Sequence, residues 1–325
     1  MAEGITLRTI EPSERDAVLD LLRGWLHDRA FFARYFEHDP TFRDDFCFVA
    51  VDGHRIVSTV QVFTKRVRID GAALTVGGVG NVYTDPAYRR RGLAPALLQR
   101  AIAAMERQQF DVSLLFATRL ELYGALGWRS HPRHLSFIQP GGNPPAARYR
   151  IQPFDAARDL DTVMELYDAH CRSLRGTTVR DRAYWSGQLR YAGNPDEHFL
   201  VAYAGSTPVA YARAAPLYDF NVILEHAVLD GYRDALADLF CHLHAASTLP
   251  GTLCQLACEP GFAPALGDRG LQVQTVEDVF WMWRVIDADR LAATLNTTVA
   301  ATAAADFFPR LLPAERSVYW IADRF

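Results

Sequence analysis

Apolar residues recur along this chain at two spacings, and the switches between them outline its elements. Residues 6–10 alternate as a strand. Ser13 then opens a helix, with Asp16 three residues on as the reciprocal acid of a capping box, and Val18, Leu21, Leu22 and Trp25 form its apolar stripe. A second short helix carries Phe31, Phe32, Tyr35 and Phe36. Residues 46–51 read as a strand ended by the hairpin signal Asp52-Gly53. Strands continue over 56–68 and 74–84, joined at Asp70-Gly71. The period then lengthens: Ala94, Leu97, Leu98, Ala101, Ile102 and Met105 follow i, i+3, i+4 spacing and predict a helix to residue 109. Residues 112–117 predict a strand, 120–126 a short helix closed by Gly127 as its C-cap, and 128–138 a last strand. The order is β-αα-βββ-α-β-α-β.

Pro140-Gly141-Gly142-Asn143-Pro144-Pro145 is a linker by composition, and the layout starts again beyond it. Strands are expected over 149–153, 199–203, 208–214, 222–228 and 252–257, with helices over 157–173 and 232–246. The repetition predicts an α/β (α+β) protein of two tandem units, each with a mixed central sheet flanked by helices. Their expected bounds are 1–140 and 149–285, with a linker at 141–148. Residues 280–287 read as a last strand leading into a third segment, 286–325. That segment starts a helix at Asp287 and ends rich in aromatics.

Composition changes this picture little. Half of the 325 residues are hydrophobic, 22% are charged and the formal net charge is −4, so neither nucleic acid nor a membrane surface is expected as a partner. The start lacks a basic region followed by an apolar one, and no apolar run is long enough for a bilayer. The cysteine count of five is odd, and Cys254 and Cys258, the one close pair, have no His or Cys pair at zinc spacing. Reduced thiols and a cytoplasmic location are the expectation, with no metal.

The chemistry is concentrated after the strand 82–84. Arg89-Arg90-Arg91-Gly92-Leu93-Ala94 places three cations and a glycine at the start of an apolar helix. Free backbone N–H groups converge there, and the positive end of the helix dipole faces an anion. Gly92 lets the backbone come close, and arginines supply forked donors. No Gly-Lys-Ser/Thr follows, which excludes a Walker loop, and the further glycines of a dinucleotide fingerprint are missing. The loop resembles the coenzyme A loop Arg/Gln-x-x-Gly-x-Gly/Ala of the GNAT acyltransferases, here Arg89-x-x-Gly92-x-Ala94. Tyr123, in Leu122-Tyr123-Gly124-Ala125-Leu126-Gly127-Trp128, resembles a second landmark of that family, Tyr-x-x-x-Gly-Phe/Tyr.

The resemblance implies two tandem GNAT-like domains. The second unit lacks an Arg-x-x-Gly-x-Gly equivalent and enters its helix through Asp230-Gly231-Tyr232-Arg233-Asp234, whose acids would repel a diphosphate. It is expected to be degenerate. With Met282-Trp283-Arg284-Val285-Ile286-Asp287 and the aromatic end, the whole chain is similar to the enhanced-intracellular-survival acetyltransferases. These carry a sterol-carrier-protein-like third domain, here cut to a short remnant. The implied donor is acetyl-CoA and the implied acceptor the amine of a small molecule, with a homo-oligomer left open.

The resemblance also implies roles. The Tyr123 hydroxyl would serve the leaving thiolate as acid, and a tail carboxylate at Phe325 would serve as base. Val82, Tyr83 and Thr84 would pair with the pantetheine arm. Arg89, Arg90, Arg91, Gly92, Leu93 and Ala94 would hold the diphosphate. Trp25, Asp28, Phe32 and Phe36 sit where the acceptor pocket is expected, although an aromatic stripe at helical spacing also fits a core. His131 and His134 are expected to be structural. An aminoglycoside-modifying enzyme and a non-catalytic acyl-CoA sensor are the alternatives.

Overall fold

The computed structural model describes residues 4–25, 28–141, 146–191, 196–217, 219–256 and 261–325. The expected linker at 142–145, Cys258 and the end of the expected strand 252–257 lie outside the described residues. The first half runs β1 (Ile5–Thr9), α1 (Arg15–Leu22), α2 (Arg29–His38), β2 (Cys47–Asp52), β3 (Arg55–Ile69), β4 (Ala72–Thr84), α3 (Leu93–Arg107), β5 (Val112–Phe116), α4 (Leu120–Gly124), β6 (Arg129–Ser130) and β7 (Arg133–Pro140). The second runs β8 (Arg150–Pro153), α5 (Ala156–Cys171), β9 (Thr177–Thr178), α6 (Arg182–Tyr191), β10 (His198–Ala204), β11 (Thr207–Leu217), β12 (Phe220–Val228), α7 (Arg233–Ala246), β13 (Thr252–Cys254), α8 (Phe262–Gly267), β14 (Leu271–Asp278) and β15 (Trp281–Val285). Helices α9 (Ala288–Thr294), α10 (Val299–Thr302) and α11 (Phe307–Leu311) follow.

Two mixed sheets result, in the orders β1-β2-β3-β4-β5-β15-β6 and β14-β7-β13-β12-β11-β10-β8, with β9 added along β3. Each contains one parallel pair, β4 with β5 and β12 with β13. The units exchange their last strands. β7 leaves the first half to pair with β13 and β14. β15 returns from the second half to pair with β5 and β6. A boundary at residue 140 therefore does not separate the two sheets, and the strand expected over 128–138 is two strands. The break lies at His131-Pro132, where proline offers no N–H to a ladder. His131 turns inward there: its backbone N–H donates to Trp281 at 2.8 Å, and its ring lies 2.9 Å from the Leu312 carbonyl oxygen. Arg133 pins the crossing through Asp278 at 2.9 Å and lies 3.5 Å from the centre of the Trp281 ring.

Helices α1 and α2 cover one face of the first sheet, where Val18, Leu22, Phe32 and Phe36 meet Val49, Val51 and Ile56. The start of α1 differs from the expected cap. A short 3₁₀ turn precedes it, and the Glu11 N–H donates to the Glu14 carboxylate at 2.9 Å. Asp16 pairs with Arg29 instead. α3 covers the other face with Leu97, Leu98, Ala101 and Met105, the periodic positions of its sequence. In the second sheet α7 takes the place of α3, and α5 and α6 that of α1 and α2.

Among the described residues, 286–325 add no strand to either sheet, so no sterol-carrier-like sheet forms there. The segment closes the first unit instead: Leu291, Phe307, Phe308 and Leu312 pack on Val67, Leu74, Val76 and Trp283. Asp287 caps α9, accepting from the Arg290 N–H at 2.9 Å.

Candidate active site

β4 and β5 pair only from Val76–Gly78 with Val112–Leu114. Beyond that point they diverge, and residues 79–84 have β3 on one side and no strand on the other among the described residues. The ladder to β3 also slips by one residue, since Gln61 faces Gly80 while Thr59 faces Tyr83. Asn81 at the slip has φ of 50° and is buried, with its amide donating to the Gln61 side-chain oxygen. A bulge of this kind bends a strand away from its neighbour. The opened strand leads straight to the arginine loop.

In that loop Gly92 has φ of 76° and is the N-cap of α3. This left-handed turn is the physical reason for glycine here. Pro95 removes one N–H from the first turn, which leaves those of Leu93 and Ala94 directed out of the helix start. Arg90 is exposed and also left-handed, with φ of 62°. The other two cations fold back. Arg89 donates to the Thr84 carbonyl at 3.1 Å with its guanidinium 5.7 Å from the Tyr83 ring, and Arg91 donates to Ala87 at 3.1 Å beside Tyr88.

The Tyr83 hydroxyl donates to the Gly24 carbonyl at 3.1 Å. Trp25 stacks on Phe32 with ring centres 5.8 Å apart and stays 36% exposed. Phe32 and Phe36 belong to the core under α2, with Phe36 stacked on Phe42 at 4.4 Å, so neither offers its ring to open space. Asp28 is the N-cap of α2 and accepts from the Phe31 N–H at 2.7 Å, which is the local reason for an acid there. Tyr35 turns toward the second unit, with its ring 4.7 Å from Tyr191 and 6.5 Å from Phe63.

Tyr123 lies on α4, just past the end of β5, and packs beside the α3-face cluster that includes Val82. Gly127, with φ of 92°, turns the chain back, so that the Trp128 N–H donates to the Tyr123 carbonyl at 3.1 Å. Arg284 of the exchanged strand donates to the Leu126 carbonyl. Burial pushes the Tyr123 phenol up to about 12, with Arg119 pulling weakly the other way. The group is a neutral hydroxyl donor over the whole physiological range.

On the opposite face lies Phe325. Its ring stands 5.9 Å from Phe63, 5.8 Å from Phe116 and 6.2 Å from Tyr319. It fills the space that a side chain at Gly78 would need. A methyl added at Gly80 would stand 2.9 Å from the main-chain oxygen of Phe325. Phe325 thus reaches the strand where β4 leaves β5. The run Gly77-Gly78-Val79-Gly80-Asn81 was the unused signal for this approach. Glycines inside a strand mark a bulge or a close backbone neighbour. Here Gly77 admits Met105 of α3, while Gly78 and Gly80 admit Phe325.

A split parallel pair, a bulged strand running into a cationic helix start and a tyrosine beyond β5 make up the candidate site of the first unit. Residues 6–130 match the family described as acetyltransferase (GNAT) domain, so the first unit is a GNAT acetyltransferase domain. The fold as a whole is similar to that of a GCN5-related N-acetyltransferase from Kribbella flavida, with TM-score 0.67 and 16% identity over 88% of this chain and 72% of that one. It is also similar to Eis1 from Mycobacterium abscessus, with TM-score 0.59 and 15% identity over 87% of this chain and 74% of that one. The Saccharomyces cerevisiae N-myristoyltransferase with bound myristoyl-CoA has TM-score 0.60 and 9% identity, over 88% and 80% of the two chains. No curated protein sequence matches this chain. Among the described residues no helix is long and apolar enough to cross a membrane, and no group of His, Cys, Asp and Glu could hold a metal.

Proposed function

We infer that this chain transfers an acetyl group from acetyl-CoA to a primary amine of a small molecule, by direct attack in a ternary complex. The observation that carries this reading is the approach of Phe325 to Gly80 at the mouth of the split between β4 and β5, with Tyr123 on the other face. The residues fit the coenzyme. The diphosphate would take the N–H groups of Gly92, Leu93 and Ala94 together with Arg90, while Arg89 and Arg91 would need to swing from their carbonyl partners. Residues Val82, Tyr83 and Thr84 would offer the pantetheine arm their backbone edge, since β5 does not use it.

With Phe325 as the terminal residue, its α-carboxylate takes a proton from the acceptor ammonium, directly or through water. The neutral nitrogen attacks the thioester carbonyl carbon, the C–N bond forms and the C–S bond breaks, the Tyr123 hydroxyl gives its proton to the departing sulfur, and the surplus proton on nitrogen leaves through water and restores the phenol. Trp25 walls the acceptor side, with Phe32 and Phe36 as its backing, and Asp28 lies at the rim.

The test is coenzyme release from acetyl-CoA across a panel of amines, followed by Tyr123→Phe in the best case. Loss of the acid lowers kcat by about 10²-fold with coenzyme affinity unchanged. Full turnover in that variant removes the acid assignment, and coenzyme binding with no release for any amine favours the sensor reading.

A further inference from the structure

The second unit has no arginine loop, yet it holds fully buried charged side chains on the face that looks toward the tail. Arg180 donates to both oxygens of Asp323, at 3.0 and 2.8 Å, and to Glu225 at 2.6 Å, and all three side chains are fully buried. The Tyr184 hydroxyl donates to Asp323 at 3.1 Å and accepts from Lys65 of β3 at 3.1 Å. Lys65 in turn pairs with Asp39 at 3.0 Å. The chain from 319 to 323 is tied down by its backbone as well. Gln255 donates to the Tyr319 carbonyl at 2.9 Å, Gln188 to the Ala322 carbonyl at 3.2 Å, and the Tyr319 hydroxyl to the Asp323 carbonyl at 3.0 Å.

The location of this cluster is informative. The ladder between β11 and β12 slips opposite Arg213–Ala214, just past the short parallel pairing of β12 with β13. That is the counterpart of the slip in β4 beyond its pairing with β5. Glu225 follows the slip on β12. The spot that opens a cleft in the first unit thus carries, in the second, the acid that holds Arg180 and through it Asp323.

We propose that the Arg180–Glu225–Asp323 cluster positions the Phe325 carboxylate, so that the second unit contributes to acetyl transfer by holding the tail in register against Gly80. This rests on the tail role inferred above. Asp323 is only two residues from Phe325, so little freedom separates a fixed carboxylate from the chain end. Removing water from charged groups is unfavourable, and a buried ionic cluster is a poor source of stability. Its physical return is one defined geometry. Asp323 and Arg180 are positioning residues, since they act through Phe325.

Carboxypeptidase A, which removes a terminal phenylalanine, reads the position of the tail without any acceptor. Asp323→Asn is expected to release Phe325 at least about tenfold faster than the parent. With acetyl-CoA and 2-phenylethylamine as the probe pair, its kcat should fall about tenfold at unchanged KM for acetyl-CoA. Removing Phe325 from that variant should add no further loss. Arg180→Lys, which keeps the charge but not the forked donors, should show both effects in weaker form. If Asp323→Asn melts below the assay temperature, Tyr184→Phe carries the same test through one lost hydrogen bond. A folded variant that keeps Phe325 protected and turns over normally overturns the proposal. If deleting Phe325 leaves turnover intact, the chemical role of the tail fails instead, while the protection result still reports on the anchor.

Discussion

A methyl at Gly80 would meet the main-chain oxygen of Phe325, and a methyl at Gly78 would meet its ring. Gly80→Ala should therefore push the tail off β4 and lower kcat about tenfold, with KM for acetyl-CoA nearly unchanged, in steady-state assays of coenzyme release. In the proposed mechanism Tyr123 sets the alkaline behaviour. Burial raises its pKa to about 12, so the proton it donates is retained as pH rises through the ordinary phenol range. A pH profile of kcat should show no alkaline limb from this group below about pH 10, whereas an unshifted phenol would begin to ionise there. A Tyr-dependent fall centred near pH 9 would contradict that assignment. Gly92→Ala keeps open space around the new methyl but forces an L-residue to φ of 76°. It should cost about 1–2 kcal/mol of stability by chemical denaturation and weaken coenzyme binding.

The element that decides most is β15. It pairs residue by residue with β5, from Trp281 opposite Phe116 to Val285 opposite Val112, and buries Trp281, Met282 and Trp283. Each of those side chains contributes roughly 1.5–3 kcal/mol by leaving water. A chain cut to residues 1–140 would leave β5 as a bare apolar edge and β7 without β13 and β14. Such a fragment should be aggregated or molten by near-UV circular dichroism, although the sequence alone marks it as a unit. β15 also braces the helix that carries Tyr123, through Arg284 and the Leu126 carbonyl. Arg284→Ala should speed amide exchange around residues 126–128 and destabilise the chain by about 1–2 kcal/mol.

Over the whole molecule, the two sheets are joined by exchanged strands at one place and by the tail at another. The tail lies between them. Trp320 and Ala322 pack against the second sheet, while Tyr319 and Phe325 pack against the first. A residue change in the second unit can therefore reach the first cleft through the tail. An Arg180→Ala chain would leave Asp323 and Glu225 buried without their main partner, and should lose about 3–5 kcal/mol of stability by denaturant titration.

Local chemistry made helix α3, its glycine cap and the loop before it readable in the sequence. The period of α3, the glycine at its N-cap, the three arginines and the tyrosine four residues before Gly127 all act over a few positions. The repeated order of strands and helices was legible for the same reason. Residues such as Phe32, Phe36 and Asp28 were ambiguous, because the same pattern serves a core or a cap as well as a pocket, and only packing separated them. The partner of a strand is a non-local choice. The apolar run 281–285 suits either sheet, and only its contacts with β5 and the turn at His131-Pro132 place it in the first. The tail is a similar case. Nothing in the segment 317–325 states which surface it meets, and its place was decided by Arg180, Glu225 and the bare backbone of Gly78 and Gly80, all distant in the chain.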